Sequence, residues 1–181
     1  RREVTFQLPA ADPALADLRT GDDVFLQVGQ IDGVGTGRSE PPAVARQLAR
    51  LDWRPPVAVV RQFRDLPSTP RFDVVASIEG RRSYNRYAVQ DAVGAALAPV
   101  LAGRYLPRTP TAGPGIEPDL TVRVFLRGPL AIAAVRLAAR PLHRRDYKQD
   151  TGAGTLHPSL AAALVRPAAP PPGGVLLDPF A

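Results

Sequence analysis

The fold is decided by one stretch of the sequence, residues 120–137, which reads LTVRVFLRGPLAIAAVRL. Apolar and polar residues alternate in its first and last parts, as they do in strands with one buried face. Between them, Arg127-Gly128-Pro129 is a turn signal, so the stretch predicts a β-hairpin. Upstream, residues 72–78 predict another strand and residues 88–101 a helix with an apolar stripe. This order predicts an α+β domain with an antiparallel sheet.

Weaker patterns on both sides of this centre predict further elements. The additional strands are expected over residues 3–8, 23–31 and 175–177. The additional helices are expected over residues 39–51, 57–63 and 156–165. The glycines of the loop 32–37 lack the spacing of a phosphate-binding loop, so a plain loop is expected there.

The composition excludes several kinds of site. The chain has 181 residues with 45% hydrophobic and 22% charged residues, which is typical of a globular protein of one or two domains. It contains no Cys, which excludes disulfides, a cysteine nucleophile and a thiolate metal site. Two histidines predict no metal centre, and no apolar run reaches the length of a membrane span. We expect a cytoplasmic protein without a signal peptide, represented here by a piece of a longer chain.

Positive charge is concentrated in one part of the sequence. Residues 120–148 contain seven basic residues and one acidic residue, Asp146, a surplus that equals the net charge of +6 for the whole chain. A local surplus of this kind indicates contact with a polyanion. The alternative is a solvated basic face at a domain junction.

A second basic segment lies between the upstream strand and helix. It combines Arg81, Arg82 and Arg86 with Tyr84 and Tyr87. Arginines bind phosphates and tyrosine rings stack on bases, which is how single-stranded or irregular RNA is recognised. We therefore predict RNA contacts from Arg81, Arg82, Tyr84 and Arg86. The alternative is that one of the tyrosines is a half-buried core residue.

Several short motifs, in this order, resemble one enzyme family. They are Arg81-Arg82-Ser83-Tyr84, Val93-Gly94 in the following helix, the strand 119–124, the run LAARPLHRRDY at 137–147, His157-Pro158-Ser159-Leu160 and Asp178-Pro179-Phe180. Through them, residues 72–181 resemble the RNA methyltransferases that carry a THUMP domain ahead of a Rossmann-like catalytic domain. The basic connector followed by Asp-Pro-Phe is the most specific part of this resemblance.

The resemblance implies three parts. Residues 1–56 would belong to a small N-terminal ferredoxin-like subdomain, a placement that rests on position alone. Residues 57–140 would form the THUMP domain. Residues 141–181 would form the connector and the first helix and strand of the methyltransferase domain.

The resemblance also implies an incomplete site for S-adenosylmethionine. His157, Pro158, Ser159 and Leu160 would lie near the cofactor, although these residues also suit a helix start. Asp178, Pro179 and Phe180 would form the strand end at the edge of the cofactor site, where open α/β sheets bind ligands. A simple strand-ending turn is the alternative for this last group.

The connector between the two domains would guide RNA towards the catalytic domain. We expect phosphate contacts from Arg144, Arg145 and Lys148, whereas the alternative is an ion-pair belt with Asp146 and Asp150.

The implied function is RNA binding for an S-adenosylmethionine-dependent methyltransferase that acts on guanine in tRNA or 23S rRNA. The family's catalytic signature, Asn or Asp followed by Pro-Pro and an aromatic residue, is absent, so these residues alone are expected to be inactive. The expected partner is tRNA or rRNA, with no membrane and no metal, and the expected state is a monomer. The alternatives are a stand-alone RNA-binding or ribosome-associated adaptor and the THUMP module of a thiouridine-forming or deaminating tRNA enzyme.

Overall fold

The computed structural model of the chain describes residues 3–108, 116–148, 152–167, 173–175 and 177. Its centre is a sheet of five strands: β1 (Phe25–Ile31), β2 (Arg71–Glu79), β3 (Arg104–Tyr105), β4 (Leu120–Arg127) and β5 (Leu130–Arg136). Their order across the sheet is β1-β5-β4-β2-β3. β5 pairs antiparallel with β1 and β4, whereas β2 runs parallel to β4 and β3.

Helices cover one face of this sheet. The described residues contain the helices α1 (Glu40–Ala49), α2 (Arg54–Phe63), α3 (Arg86–Val100) and α4 (Pro158–Val165), and a short 3-10 turn at Pro13–Asp17. Buried residues of α1, α2 and α3, such as Leu48, Val60 and Val93, join one hydrophobic core with the sheet. α4 contributes no residue to this core, and its first two residues are its buried ones.

The two faces of the sheet differ because side chains alternate along each strand. The helix-facing residues of β4 are almost completely buried: Leu120, Val122, Val124 and Leu126. The opposite face of β4 carries Thr121, Arg123, Phe125 and Arg127. Burying the first set of side chains stabilises the fold by about 25 cal/mol for each Å² of apolar surface removed from water. This stabilisation determines which face of the strand is turned towards the helices.

Two glycines are required by the geometry around them. Gly128 in the hairpin between β4 and β5 has φ = 51°, a left-handed conformation that other residues rarely adopt. Gly94 in α3 lies against the ring of Tyr105 on β3, and a β-carbon at Gly94 would lie 2.4 Å from that ring. The ring therefore packs on the backbone of the helix, and its hydroxyl donates to the carboxylate of Asp91 at 2.9 Å.

The structure confirms most of the predicted elements. The hairpin, the strands at 23–31 and 72–78, and all three additional helices are present. The strand predicted over 3–8 is wrong, since these residues form no ladder and are exposed. Apolar and polar residues alternate in this segment, but none of them is buried. The expected antiparallel sheet is wrong for β2, because α3 and β3 lie between β2 and β4 in the chain. The helix carries the chain back to the end of the sheet where β2 begins, so β4 runs in the same direction as β2.

Two further expectations concern boundaries. Val175 and Leu177 of the predicted strand at 175–177 are 92% and 82% exposed, and Leu176 lies outside the described residues. The predicted boundary at residue 56 falls inside α2. On its two sides, β1 and β5 share one sheet and α1 and α3 share one core. The described residues 25–108 and 116–137 therefore form one structural unit.

Candidate nucleic-acid interface

Three loops meet at one end of the sheet. They are the loop from β1 to α1, the turn from β2 to α3, and the hairpin between β4 and β5. The Val34 amide donates to the Pro129 carbonyl, and the Ser83 amide donates to the Thr36 carbonyl, both at 2.8 Å. These backbone hydrogen bonds connect the β1–α1 loop to each of the other two loops.

Arg82 fastens all three loops together. Its Nη1 donates to the Gly35 carbonyl at 2.8 Å and to the Tyr84 hydroxyl at 2.9 Å, and its Nη2 donates to the Gly128 carbonyl. The Tyr84 hydroxyl donates to the same Gly35 carbonyl at 3.1 Å. Burial raises the pKa of Tyr84 above its ordinary value of 10.0, and at neutral pH the hydroxyl is protonated with or without this shift.

An open cleft of about 540 Å³ lies beside this junction. We call it the three-loop cleft, and its lining residues are Arg38, Arg82, Ser83, Tyr84, Asn85 and Ala88. Arg38 and Ser83 are exposed there. No acidic residue belongs to the described lining set, although the nearby carboxylate of Glu40 acts electrostatically on Tyr84; the lining itself supplies the positive charge of Arg38 and Arg82.

The start of α3 adds further groups next to the cleft. The Asn85 side chain caps the helix by accepting from the Ala88 amide at 3.0 Å. Exposed Arg86 stacks on the ring of Tyr87, with its Cζ 4.9 Å from the ring centroid. Arg81, on the other side of the turn, is also exposed.

The structure thus brings the first group of predicted RNA contacts into one region, with different roles. Arg82 and Tyr84 line the three-loop cleft but bind protein groups, as the alternative of a half-buried tyrosine anticipated. Arg81 and Arg86 are exposed beside it. Arg38 is a cleft residue that sequence reasoning missed. The only signal for it was its place directly after the glycine-containing loop.

Much of the positive charge in residues 120–148 is neutralised by acidic residues from elsewhere in the chain. Arg127 forms ion pairs with Glu3 and Glu79, and Arg136 pairs with Asp23 at 2.8 Å. The side chains of Arg136 and Asp23 are only 12% and 14% exposed. Burial is the main cause that raises the pKa of Asp23, and the nearby guanidinium opposes it. The excess of basic over acidic residues in this stretch of sequence is therefore larger than the excess of unpaired positive charge after folding.

The connector contains part of the ion-pair belt considered for it, together with basic side chains that differ in exposure. Arg140 pairs with Asp146 at 2.5 Å, as the ion-pair alternative expects, while Asp150 lies outside the described residues. Arg144 is exposed. Arg145 is half-buried and donates to the Leu18 carbonyl at 2.8 Å. Lys148 is half-buried as well.

The start of α4 is attached to the segment that precedes β1. The His157 ring lies 3.3 Å from a carboxylate oxygen of Asp22 and 5.2 Å from the ring of His143, measured between centroids. The Ser159 hydroxyl donates to the Gly21 carbonyl at 3.1 Å. Pro158 and Ser159 are buried, whereas Leu160 is 50% exposed.

The other expected cofactor residues, Asp178, Pro179 and Phe180, lie outside the described residues. Within the described part of the chain, no group of three or more potential ligands is arranged to hold a metal ion. No helix in that same part is long and apolar enough to cross a membrane.

The fold is similar to part of the fold of several proteins with solved structures. The chain superposes on TrmN from Thermus thermophilus with a TM-score of 0.64 and 25% identity, covering 92% of this chain and 44% of that one. It superposes on a predicted N6-adenine-specific DNA methylase from Listeria monocytogenes with a TM-score of 0.55 and 20% identity, covering 85% and 37%. The chain thus shares its fold with part of each of these two proteins, one of them a predicted methylase.

A more particular similarity comes from the sequence. The chain is 34% identical over 128 residues to tRNA (guanine(6)-N2)-methyltransferase of Thermus thermophilus, which covers 68% of this chain and 34% of that protein. The chain therefore spans about one third of the length of this curated relative. No protein-family model matches the chain.

Proposed function

We propose that this chain is the RNA-binding part of an S-adenosylmethionine-dependent methyltransferase that modifies guanine in tRNA. One observation carries the proposal, the 34% identity over 128 residues to a tRNA guanine-N2 methyltransferase. This relative favours tRNA over 23S rRNA as the substrate. Because the chain spans about one third of that protein, the methyl transfer is proposed for the whole protein and not for these residues.

RNA binding is supported by exposed arginines around the three-loop cleft. Arg38, Arg81 and Arg86 are exposed at or next to a cleft whose lining includes no acidic residue. Exposed guanidinium groups bind phosphates through paired, charge-assisted hydrogen bonds. Arg144 in the connector would extend this contact towards the catalytic domain.

We propose that residues 25–137 are the RNA-binding unit, with the THUMP domain as its main part. The pairing of β1 with β5 and the shared core of α1 and α3 support a unit that begins before the boundary expected from the sequence. Residues before β1 would then be the end of an N-terminal subdomain. Residues 141–181 would lead into the methyltransferase domain.

The described residues supply at most one edge of a cofactor site. The side chains of His157 and Ser159 already bind Asp22 and Gly21, and Pro158 is buried. Leu160 is half exposed and offers apolar surface. S-adenosylmethionine would supply the methyl group in the whole protein. A protein assigned as a methyltransferase and complexed with SAH has a similar fold, with a TM-score of 0.52 and 20% identity.

In the proposed reaction, the role of this chain is to bind and orient the RNA. Holding the tRNA backbone at several arginines fixes the position of the target guanine relative to the catalytic domain, and such positioning is a large part of catalysis. The acceptor of the methyl group would be the exocyclic amino group of guanine. The Asn/Asp-Pro-Pro-aromatic signature that would orient it is absent from this sequence.

Binding and activity assays test the proposal separately. We expect the chain to bind a fluorescein-labelled tRNA transcript in an anisotropy titration, with affinity that falls steeply between 50 and 200 mM salt (about 10³-fold or more for six phosphate contacts). Absence of binding at the lower salt concentration would refute the RNA-binding role. The whole protein should transfer methyl groups to the transcript, and the 181-residue chain should not.

Calorimetry tests the incomplete cofactor site. The 181-residue chain should bind S-adenosylmethionine weakly or not at all. The whole protein should bind it in the micromolar range, about −8 kcal/mol. Tight binding by the 181-residue chain would show that the cofactor site is complete within it and that our placement is wrong.

A further inference from the structure

We infer that Arg82 is a positioning residue of the three-loop cleft and that Arg38 is the arginine that binds an RNA phosphate there. This inference rests on the proposed RNA binding. The guanidinium of Arg82 would stabilise the protein structure around the cleft, and the guanidinium of Arg38 would contact the RNA.

The hydrogen bonds of Arg82 support the first half of this inference. Its two terminal nitrogens donate to the carbonyls of Gly35 and Gly128 and to the hydroxyl of Tyr84. Its Nε is buried and makes no hydrogen bond within the described residues. A guanidinium binds a phosphate best with two parallel donors. In Arg82 both terminal nitrogens already serve protein acceptors, so that geometry is not available to a phosphate.

These hydrogen bonds also determine where Arg38 lies. Gly35, three residues before Arg38, is held at its carbonyl by Arg82 and Tyr84, and at its amide by the Glu40 carboxylate at 3.1 Å. Glu40 begins α1 two residues after Arg38. The segment that carries Arg38 is thus fixed on both sides. Without Arg82, the Gly35 carbonyl would keep only the hydrogen bond from Tyr84, while the backbone hydrogen bonds of Val34 and Thr36 to the two neighbouring loops would remain.

The surroundings of Arg38 support the second half. Arg38 is exposed and lines the cleft together with the hydroxyl of Ser83 and the start of α3. The described lining set contains no carboxylate, and the nearby carboxylate of Glu40 is hydrogen-bonded to the Gly35 amide. An exposed guanidinium in a positive, open cleft is suited to the phosphodiester backbone of RNA.

A double-mutant cycle tests the division of roles, with the labelled tRNA transcript as the probe. Arg38→Ala should weaken binding about tenfold and lower the slope of log affinity against log salt by about one, as expected for one lost phosphate contact. Arg50→Ala is the matched control, because Arg50 is exposed at the other end of α1 and does not line the cleft. This control should change neither quantity.

Arg82→Ala should also weaken binding, but through Arg38. Adding Arg38→Ala to it should therefore cost much less than tenfold, so the two effects should not be additive. Additive effects, or a further loss of about one unit of salt slope on removing Arg82 from the Arg38→Ala protein, would show that Arg82 binds phosphate itself and would overturn the inference.

A conservative variant keeps the test decisive if Arg82→Ala does not fold. Arg82→Lys retains the charge but loses the planar fork that reaches several acceptors. We expect it to lower affinity and to reduce the effect of Arg38→Ala to well below tenfold. Unchanged affinity in Arg82→Lys would mean that charge alone matters at this position, against the inference. If the unmodified chain binds no tRNA, the proposed function fails; if it binds and Arg38→Ala resembles Arg50→Ala, only this inference fails.

Discussion

The three-loop cleft and the segment 120–148 are both rich in arginine, but they use it differently. In the segment, Arg127, Arg136 and Arg140 pair with carboxylates, and several of these come from distant parts of the chain. In the cleft, the lining set contains no carboxylate, and Arg38 is exposed. A surplus of positive charge in a sequence window therefore does not locate a positive surface, because folding brings acidic partners to it.

The largest expected effect tests the structural side of this comparison. Replacing Arg136 by Ala would leave the carboxylate of Asp23, which is 14% exposed, without its partner and would remove a hydrogen bond to Thr121. Breaking a buried ion pair in this way costs about 3 kcal/mol of the free energy of unfolding. Chemical denaturation measures the loss. The tRNA salt slope of the folded protein should not change, and a flatter slope would place Arg136 among the RNA contacts.

The next effect tests the binding side. The double variant Arg38→Ala/Arg81→Ala should bind tRNA about 100-fold more weakly, with a salt slope lower by about two, because two exposed arginines are lost. Its free energy of unfolding should stay within about 0.5 kcal/mol, since both side chains are exposed. Anisotropy and denaturation give the two values. A stability loss comparable to that of Arg136→Ala would erase the distinction between the regions.

The connector should give an intermediate result. Arg144→Ala/Arg145→Ala should weaken tRNA binding regardless of RNA sequence and flatten the salt slope by about one, not two. Arg144 is exposed, whereas Arg145 donates to the Leu18 carbonyl. The single variants separate these contributions in the same titration. An unchanged slope in the double variant would remove the connector from the RNA path.

The smallest effect concerns pH and two carboxyl groups with opposite shifts. Burial raises the pKa of Asp23 above its ordinary 3.8, so the folded state binds the proton more readily than the unfolded state. The stability of the unmodified chain relative to Asp23→Asn should therefore increase as the pH falls through the folded-state pKa towards 3.8.

Asp119 should behave in the opposite way. Its hydrogen bond with Arg71 lowers its pKa, so stability relative to Asp119→Asn should decrease as the pH falls below 3.8 towards the folded-state pKa. Denaturation curves of both variants at several pH values give the two signs. Equal signs would contradict the described environments of these carboxylates.

Local patterns predicted the elements better than they predicted the pairing of strands. The hairpin of β4 and β5 follows from two alternating runs around Gly128, all within one short stretch. The parallel pairing of β2 with β4 depends on contacts between distant residues, which alternation does not encode. β3 has only two residues, too few to show a period.

The same limit applies to the candidate site. The sequence showed that Arg81, Arg82, Tyr84 and Arg86 form a basic and aromatic turn, and the structure places them around the start of α3. The sequence did not show that the acceptors of Arg82 are carbonyls 46 and 47 residues away in the chain. Whether an arginine side chain is exposed or is hydrogen-bonded to acceptors of the protein itself depends on such distant partners.

The contact between Gly94 and Tyr105 has a mechanical consequence for the cleft. α3 has 15 residues and is about 22 Å long, and Gly94 lies about 12 Å along the axis from Arg86 at its start. A side chain at position 94 would have to displace this ring or tilt the helix about this contact. A tilt of about 5° around it would move the start of α3 by about 1 Å, enough to break hydrogen bonds whose lengths vary by only about 0.5 Å. A substitution at Gly94, near the middle of α3, would therefore reach the cleft through the helix.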